Sequence, residues 1–217
     1  RRDLSKLLAP LLRKSKNGKL YAIFGLAGLD TKKDEYFYRE LVRSALPQKS
    51  IFNVVNDTKT ALEARCPNER KRILVICGTG SNVYGEIGAK TARNIGWGDF
   101  VLGDEGSGYD IGTKILKAAM RSFDGRGKKT IFEKLIPKRM GVRTMEDAVS
   151  AFYKNLRRIQ NMKRYVASFA YLLDEAIRNN DRVAIAIRQE AIEALIQGIS
   201  AVTTKLAISN KEFCLGY

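Results

Sequence analysis

The chemistry available to this chain lies in carboxylates, hydroxyls and backbone amides, because it contains no histidine. A Ser-His-Asp or Cys-His nucleophile, an HExxH zinc site and an imidazole general base are therefore excluded within it. Acid–base work near neutral pH would fall to a carboxylate, Lys, Tyr or Cys. Cys66, Cys77 and Cys214 are odd in number, widely spaced and free of any CxxC, so no disulfide framework and no zinc or iron–sulfur set is evident, which fits a reducing, cytoplasmic setting.

Four short segments carry the remaining candidates. Gly78-Thr79-Gly80-Ser81-Asn82 follows an apolar strand, and its glycines expose successive N–H groups of the kind that cradle a phosphate. It is neither a Walker A loop nor GxGxxG, since no Gly-Lys-Ser/Thr follows and Val83 holds the third glycine position; an ordinary hairpin turn is the competing reading. Asp57 stands between an apolar strand and a helix, where its carboxylate can accept a proton from a bound hydroxyl or simply cap the helix. Gly103-Asp104-Glu105-Gly106-Ser107-Gly108 sets two acids among glycines ahead of a helix, suited to sugar hydroxyls or a metal-bound phosphate, or to complementing the helix N-terminus. Trp97, between Gly96 and Gly98, is the only Trp; it fits either the wall of a small-molecule site or plain core.

The elements that must position these segments follow from apolar spacing. Leu4, Leu7, Leu8, Leu11 and Leu12 predict an amphipathic helix, and Leu20–Phe24 a strand ending in Gly25-Leu26-Ala27-Gly28-Leu29-Asp30. A helix over about Lys33–Leu46, a strand at Ile51–Val55 and a helix from Asp57 or Thr58 to Cys66 follow, which is an α/β unit with parallel pairing. Polar residues 67–72 mark a boundary, dividing the chain into 1–66 and 67–217. Ile73–Cys77 then predicts a buried strand, and residues 78–112 hold ten of the 18 glycines. Beyond Tyr109 the pattern is helical, with Ile185, Ile192, Leu195, Ile199, Val202 and Leu206 striping one long helix. Glu212–Tyr217 reads as a final strand.

The net charge of +16, from 39 Lys+Arg against 23 Asp+Glu, invites a nucleic-acid reading. Its distribution argues otherwise: residues 1–66, 67–124 and 125–217 carry +7, +1 and +8, so the excess sits on the flanks, in helix-like patterns with no nucleic-acid-binding motif. No apolar run approaches the ~20 residues of a membrane span, and the N-terminal residues lack a signal-peptide apolar region.

Taken in order, Gly25–Asp30, Asn56-Asp57, Gly78–Asn82, Gly96-Trp97-Gly98 and Gly103–Ser107 resemble the N-acetylglucosamine kinase group of the BadF/BadG/BcrA/BcrD ATPase family, within the sugar kinase/Hsp70/actin superfamily. The resemblance implies an α/β, ribonuclease-H-like two-domain fold with a large helical portion in the second domain, closing over ATP-Mg2+ and a sugar. Residues 1–66 would complete the first domain and 67–217 form most of the second. It further implies that Asp57 is the catalytic base and that Gly78, Thr79 and Gly80 bind phosphate. Asn82, Gly98 and Asp104 would contact sugar, with Gly96 and Trp97 shaping the same wall and Gly28 nearby.

The family's first phosphate loop and its adenosine segment have no counterpart here, so the chain is expected to be the middle of a longer kinase, inactive alone. The expected function is ATP-dependent phosphorylation of an amino sugar or related hexose, N-acetylglucosamine foremost, to its 6-phosphate. The alternatives are an ATPase of the same family that drives a partner protein and a basic nucleic-acid-binding module. A homodimer is expected, since the apolar-striped helices leave room for a subunit contact.

Overall fold

A computed structural model describes residues 2–14, 20–29, 31–94, 100–156, 161–208 and 212–217. The chain divides into two compact units, Arg1–Glu69 and Arg70–Tyr217.

The first unit runs α1 (Arg2–Lys14), β1 (Tyr21–Leu26), α2 (Lys32–Arg43), β2 (Ile51–Asn56) and α3 (Asp57–Arg65). Strands β1 and β2 pair in parallel, Tyr21 opposite Ile51 through Leu26 opposite Asn56, with α2 as the crossover. Helix α2 begins with a capping box: the Thr31 side chain accepts from the Asp34 N–H, and the Asp34 carboxylate accepts from the Thr31 N–H. Val42, Val54 and Leu62 are the unit's most buried aliphatic residues. Close approach of α3 to β1 requires a glycine, because a Cβ on Gly25 would lie 2.5 Å from Thr60 Oγ1.

The second unit holds a four-stranded sheet in the order β5 (Lys90–Arg93), β4 (Ser81–Ile87), β3 (Lys71–Cys77), β6 (Cys214–Gly216). Pairing is antiparallel in β5–β4–β3 and parallel between β3 and β6. Helices α4 (Gly108–Phe123), α5 (Phe132–Met140), α6 (Met145–Leu156), α7 (Met162–Ala167), α8 (Leu172–Arg178) and α9 (Arg182–Lys205) follow, with a short 3-10 turn at Ser168–Tyr171. Two cores result. Ile73 and Val83 of the sheet pack with Val202, Leu206 and Ile208, while Ile115, Phe132, Leu135, Phe169 and Ile187 belong to a helical core. Helix α9 serves both, since its 24 residues reach roughly 36 Å at 1.5 Å per residue.

One expectation is corrected. Along α9, Val202 and Leu206 are buried as expected, but Ile185 and Ile192 are exposed; the small Ala184 and Ala191, with Ile187, take the inward positions. Of the cysteines, Cys77 is a free thiol. No helix among the described residues is long and apolar enough to cross a membrane.

One carboxylate ties the helical core together. Asp181 caps α9 by accepting from the N–H groups of Val183 and Ala184, both at 2.9 Å, and it also accepts from Thr130 Oγ1 at 2.8 Å and the Ile131 N–H at 2.7 Å. Burial by itself would raise its pKa, but the hydrogen bonds from Ile131, Ala184, Thr130 and Val183 hold it below the usual aspartate range. A depressed folded pKa contributes stability above the unfolded value near 4 and loses it as pH falls through the folded value. Asp181→Ala is expected to cost about 2 kcal/mol, from one cap and the loop hydrogen bonds, in urea unfolding at pH 7. The difference from wild type should shrink below about pH 4; a difference that does not change with pH would contradict the role assigned to the ionised carboxylate.

Candidate functional site

In the first unit, Asp57 is the first residue of α3, and Asn56 is the residue that caps it. Asn56 Oδ1 accepts from the Thr58 N–H at 2.9 Å and from Thr58 Oγ1 at 2.5 Å. The capping alternative for Asp57 is thereby corrected: the preceding amide does that work. Among the described residues, the Asp57 carboxylate accepts no hydrogen bond, and it sits at the positive end of the helix. Asn56 Nδ2 also donates to the Leu29 carbonyl at 3.1 Å, which ties the turn containing Gly28 to the start of α3.

In the second unit, Gly78-Thr79-Gly80 forms the tip of the β3–β4 hairpin, as the hairpin reading expects. The Gly78 N–H donates across the tip to the Gly80 carbonyl at 2.9 Å. Among the described residues, the N–H groups of Thr79 and Gly80 have no acceptor. The carbonyls of Gly78 and Thr79 accept from the N–H groups of Gly108 (2.8 Å) and Tyr109 (3.1 Å), which lashes the tip to the start of α4.

The loop before α4 closes against the same tip. Asp104 is only 7% exposed and has a left-handed backbone, φ 67°, which a residue with a side chain adopts at a cost. Its Oδ1 accepts from the Ser81 N–H at 2.9 Å, and Ser81 Oγ donates to the Glu105 carbonyl at 2.7 Å. Its Oδ2 is ion-paired with Lys163 of α7 but accepts no hydrogen bond of good geometry. Gly80 makes room for this carboxylate, since a Cβ there would lie 2.7 Å from Asp104 Oδ1. Ser107 caps α4 by accepting from the Asp110 N–H at 3.2 Å. Asp110 in turn accepts from the Gly106 N–H at 2.9 Å and pairs with Lys114 at 3.1 Å.

Asn82 Oδ1, on β4 beside the same tip, is also buried without a hydrogen-bond partner. The second unit therefore presents a buried acceptor without a hydrogen-bond partner, Asn82 Oδ1, and a second, Asp104 Oδ2, met by the Lys163 ammonium alone, next to two N–H donors. Buried acceptors of this kind call for hydroxyl or amine donors. Gly96, Trp97 and Gly98 lie outside the described residues. No group of three or more His, Cys, Asp or Glu among the described residues could hold a metal ion. Lys163 escaped the sequence reading: it lies 59 positions from Asp104 in an unremarkable basic cluster, Lys163-Arg164, and no local signal marks it.

The chain belongs to the BadF/BadG/BcrA/BcrD ATPase family, whose pattern matches residues 8–216. It is 38% identical over 192 residues to a Clostridium acetobutylicum protein named N-acetylmuramic acid/N-acetylglucosamine kinase, a match covering 88% of this chain and 60% of that one. It is 29% identical over 189 residues to N-acetyl-D-glucosamine kinase of Dictyostelium discoideum, covering 87% and 58%. The chain thus spans about three fifths of the length of these curated relatives. Among solved structures, a provisionally assigned N-acetylglucosamine kinase from Chromobacterium violaceum superposes with a TM-score of 0.68 at 21% identity, covering 90% of this chain and 64% of that one. One from Porphyromonas gingivalis, likewise provisionally assigned, gives 0.64 at 18%, covering 100% and 81%. At these identities the likeness defines the fold alone, a mixed α/β architecture.

The approach of α7 to α4 depends on Gly112, where a Cβ would sit 2.1 Å from the Val166 carbonyl oxygen. Gly112→Ala gains about 1 kcal/mol of helix propensity but forces the two helices apart. A net loss of about 1–3 kcal/mol is expected in urea unfolding. A variant as stable as wild type would show that this close packing is not maintained in solution.

Proposed function

We propose that this chain belongs to an ATP-dependent kinase that phosphorylates an amino sugar, N-acetylglucosamine foremost, giving the 6-phosphate. The observation that carries the reading is a pair of buried acceptors, Asn82 Oδ1 without a hydrogen-bond partner and Asp104 Oδ2 met by the Lys163 ammonium alone, set beside the open N–H groups of a glycine-rich hairpin tip. Acceptors suit the hydroxyls of a sugar, and backbone donors suit a phosphate. The kinase names of the two curated relatives support the same assignment.

In this reading Asp57 accepts the proton of the sugar hydroxyl as that oxygen attacks the γ-phosphorus; the bond to the bridging oxygen breaks and ADP leaves. Asp57 suits the role because its carboxylate is not engaged in capping. Thr79 and Gly80 donate their N–H groups to phosphate oxygens, and Gly78 closes the turn that aims them. Asn82 and Asp104 orient the sugar, with Gly96, Trp97 and Gly98 assigned to the same wall and Gly28 nearby. Phosphoryl transfer of this kind relies on in-line positioning and electrostatics and requires no histidine. Mg2+ would arrive on the ATP phosphates, neutralising their charge; such an ion keeps several waters and needs few protein carboxylates.

The name of the Clostridium acetobutylicum relative adds N-acetylmuramic acid as a second substrate to propose. A cytoplasmic location follows from the use of ATP. A homodimer is also proposed, supported by the exposed stripe Ile185, Ile192 and Ile196 on α9, and sedimentation would test it.

The test is an assay of the protein from the full coding sequence with ATP-Mg2+ and a panel of hexoses. Sugar-dependent ADP release with N-acetylglucosamine as the best substrate is expected. ATP hydrolysis indifferent to every sugar and stimulated by another protein would replace this reading with a partner-driving ATPase. Asp57→Asn should lower kcat by about 10²–10⁴ while the protein stays folded. Asp104→Ala should raise the KM for sugar by roughly tenfold or more and that for ATP by less than about twofold; equal increases would remove Asp104 from the sugar subsite.

A further inference from the structure

We propose that Lys163 determines which sugars the site accepts, by admitting one that carries a carboxylate substituent next to the hydroxyl received by Asp104. The proposal rests on the kinase reading above and refines its substrate class.

The position of Lys163 is set by helix packing rather than by its partner. It is the second residue of α7, and α7 is held against α4 where Gly112 meets the Val166 carbonyl and Gly108 meets Ala167. Asp104 is fixed separately, by the Ser81 N–H on Oδ1 and by its left-handed backbone. The two charges therefore meet as preset groups. Both are poorly solvated, with side-chain exposures of 25% for Lys163 and 6% for Asp104, so their interaction is weakly screened.

An ammonium has three N–H donors, and Asp104 Oδ2 can occupy one of them. The structure provides no second carboxylate for Lys163 among the described residues. A neutral sugar has no use for the remaining charge, because Asp104 keeps its place through Ser81 and the backbone. For an anionic sugar the case is different: without Lys163 its carboxylate would face the Asp104 carboxylate across a poorly solvated gap, and like charges there repel strongly. With Lys163 between them, one ammonium bridges both carboxylates and the repulsion becomes attraction. Lys163 should thus matter little for N-acetylglucosamine and much for its 3-O-lactyl ether, N-acetylmuramic acid.

The experiment measures kcat/KM for both sugars, and the KM for ATP, in wild type, Lys163→Met, Lys163→Gln and Lys163→Arg, each made from the full coding sequence. Lys163→Met and Lys163→Gln are expected to lower kcat/KM for N-acetylmuramic acid by about 30-fold, mainly through KM, and for N-acetylglucosamine by less than about threefold. Lys163→Arg keeps the charge and should restore most of the ratio between the two sugars. Equal losses on both sugars in Met and Gln variants that unfold in urea at the wild-type midpoint would overturn the proposal and leave Lys163 as a support for Asp104 alone. Wild type that phosphorylates N-acetylglucosamine but not N-acetylmuramic acid would overturn the proposal and leave the kinase reading standing. Wild type that phosphorylates neither sugar would overturn both.

Discussion

A carboxylate held in the interior on a left-handed backbone persists only if its charge and its conformation are both compensated, and the second unit is organised around meeting that demand at Asp104. The Ser81 N–H and the Lys163 ammonium supply opposing partners from a strand and a helix. Gly80 leaves the space the carboxylate occupies. The Ser81 hydroxyl and the N–H groups of Gly108 and Tyr109 then join the loop, the hairpin tip and α4 into one piece of backbone. Removing the Ser81 contacts would leave the Asp104 loop without its anchor on the sheet, which is costlier than never having formed them.

The first unit solves a smaller version of the same problem. A carboxylate is open to a ligand only if it is not consumed by structural work, and a helix N-terminus is where carboxylates are most readily consumed. Placing Asn56 at the cap meets the helix's need with a neutral amide and leaves the Asp57 carboxylate outside the hydrogen-bond network. The absence of a side chain at Gly25 lets Thr60 come close, and this sets where α3, and with it Asp57, leaves the parallel strand pair.

Much of this architecture was legible before any coordinates. Strong apolar periodicity and glycine punctuation located β1, β2, β3, α3 and the long α9, because local propensity and burial pointed the same way at each. Legibility failed where the deciding contact was not local. Asn56 and Asp57 are both good capping residues, and only backbone dihedrals separate them. The stripe read along α9 was partly wrong because a helix that serves two cores turns small residues, Ala184 and Ala191, toward its neighbours and leaves Ile185 and Ile192 outside.

By itself, the sequence determined the classes of chemistry open to this protein: with no histidine, acid–base work is left to a carboxylate, Lys, Tyr or Cys, and the glycine-dense centre offers exposed backbone N–H groups. It also located β1, β2, β3, α3 and α9, since periodicity is a local property of the chain. The tertiary structure alone decided which charge answers which. Lys163 meets Asp104 across 59 residues only because α7 packs closely on α4, and no residue-type pattern encodes a distance that arises from the packing of two helices.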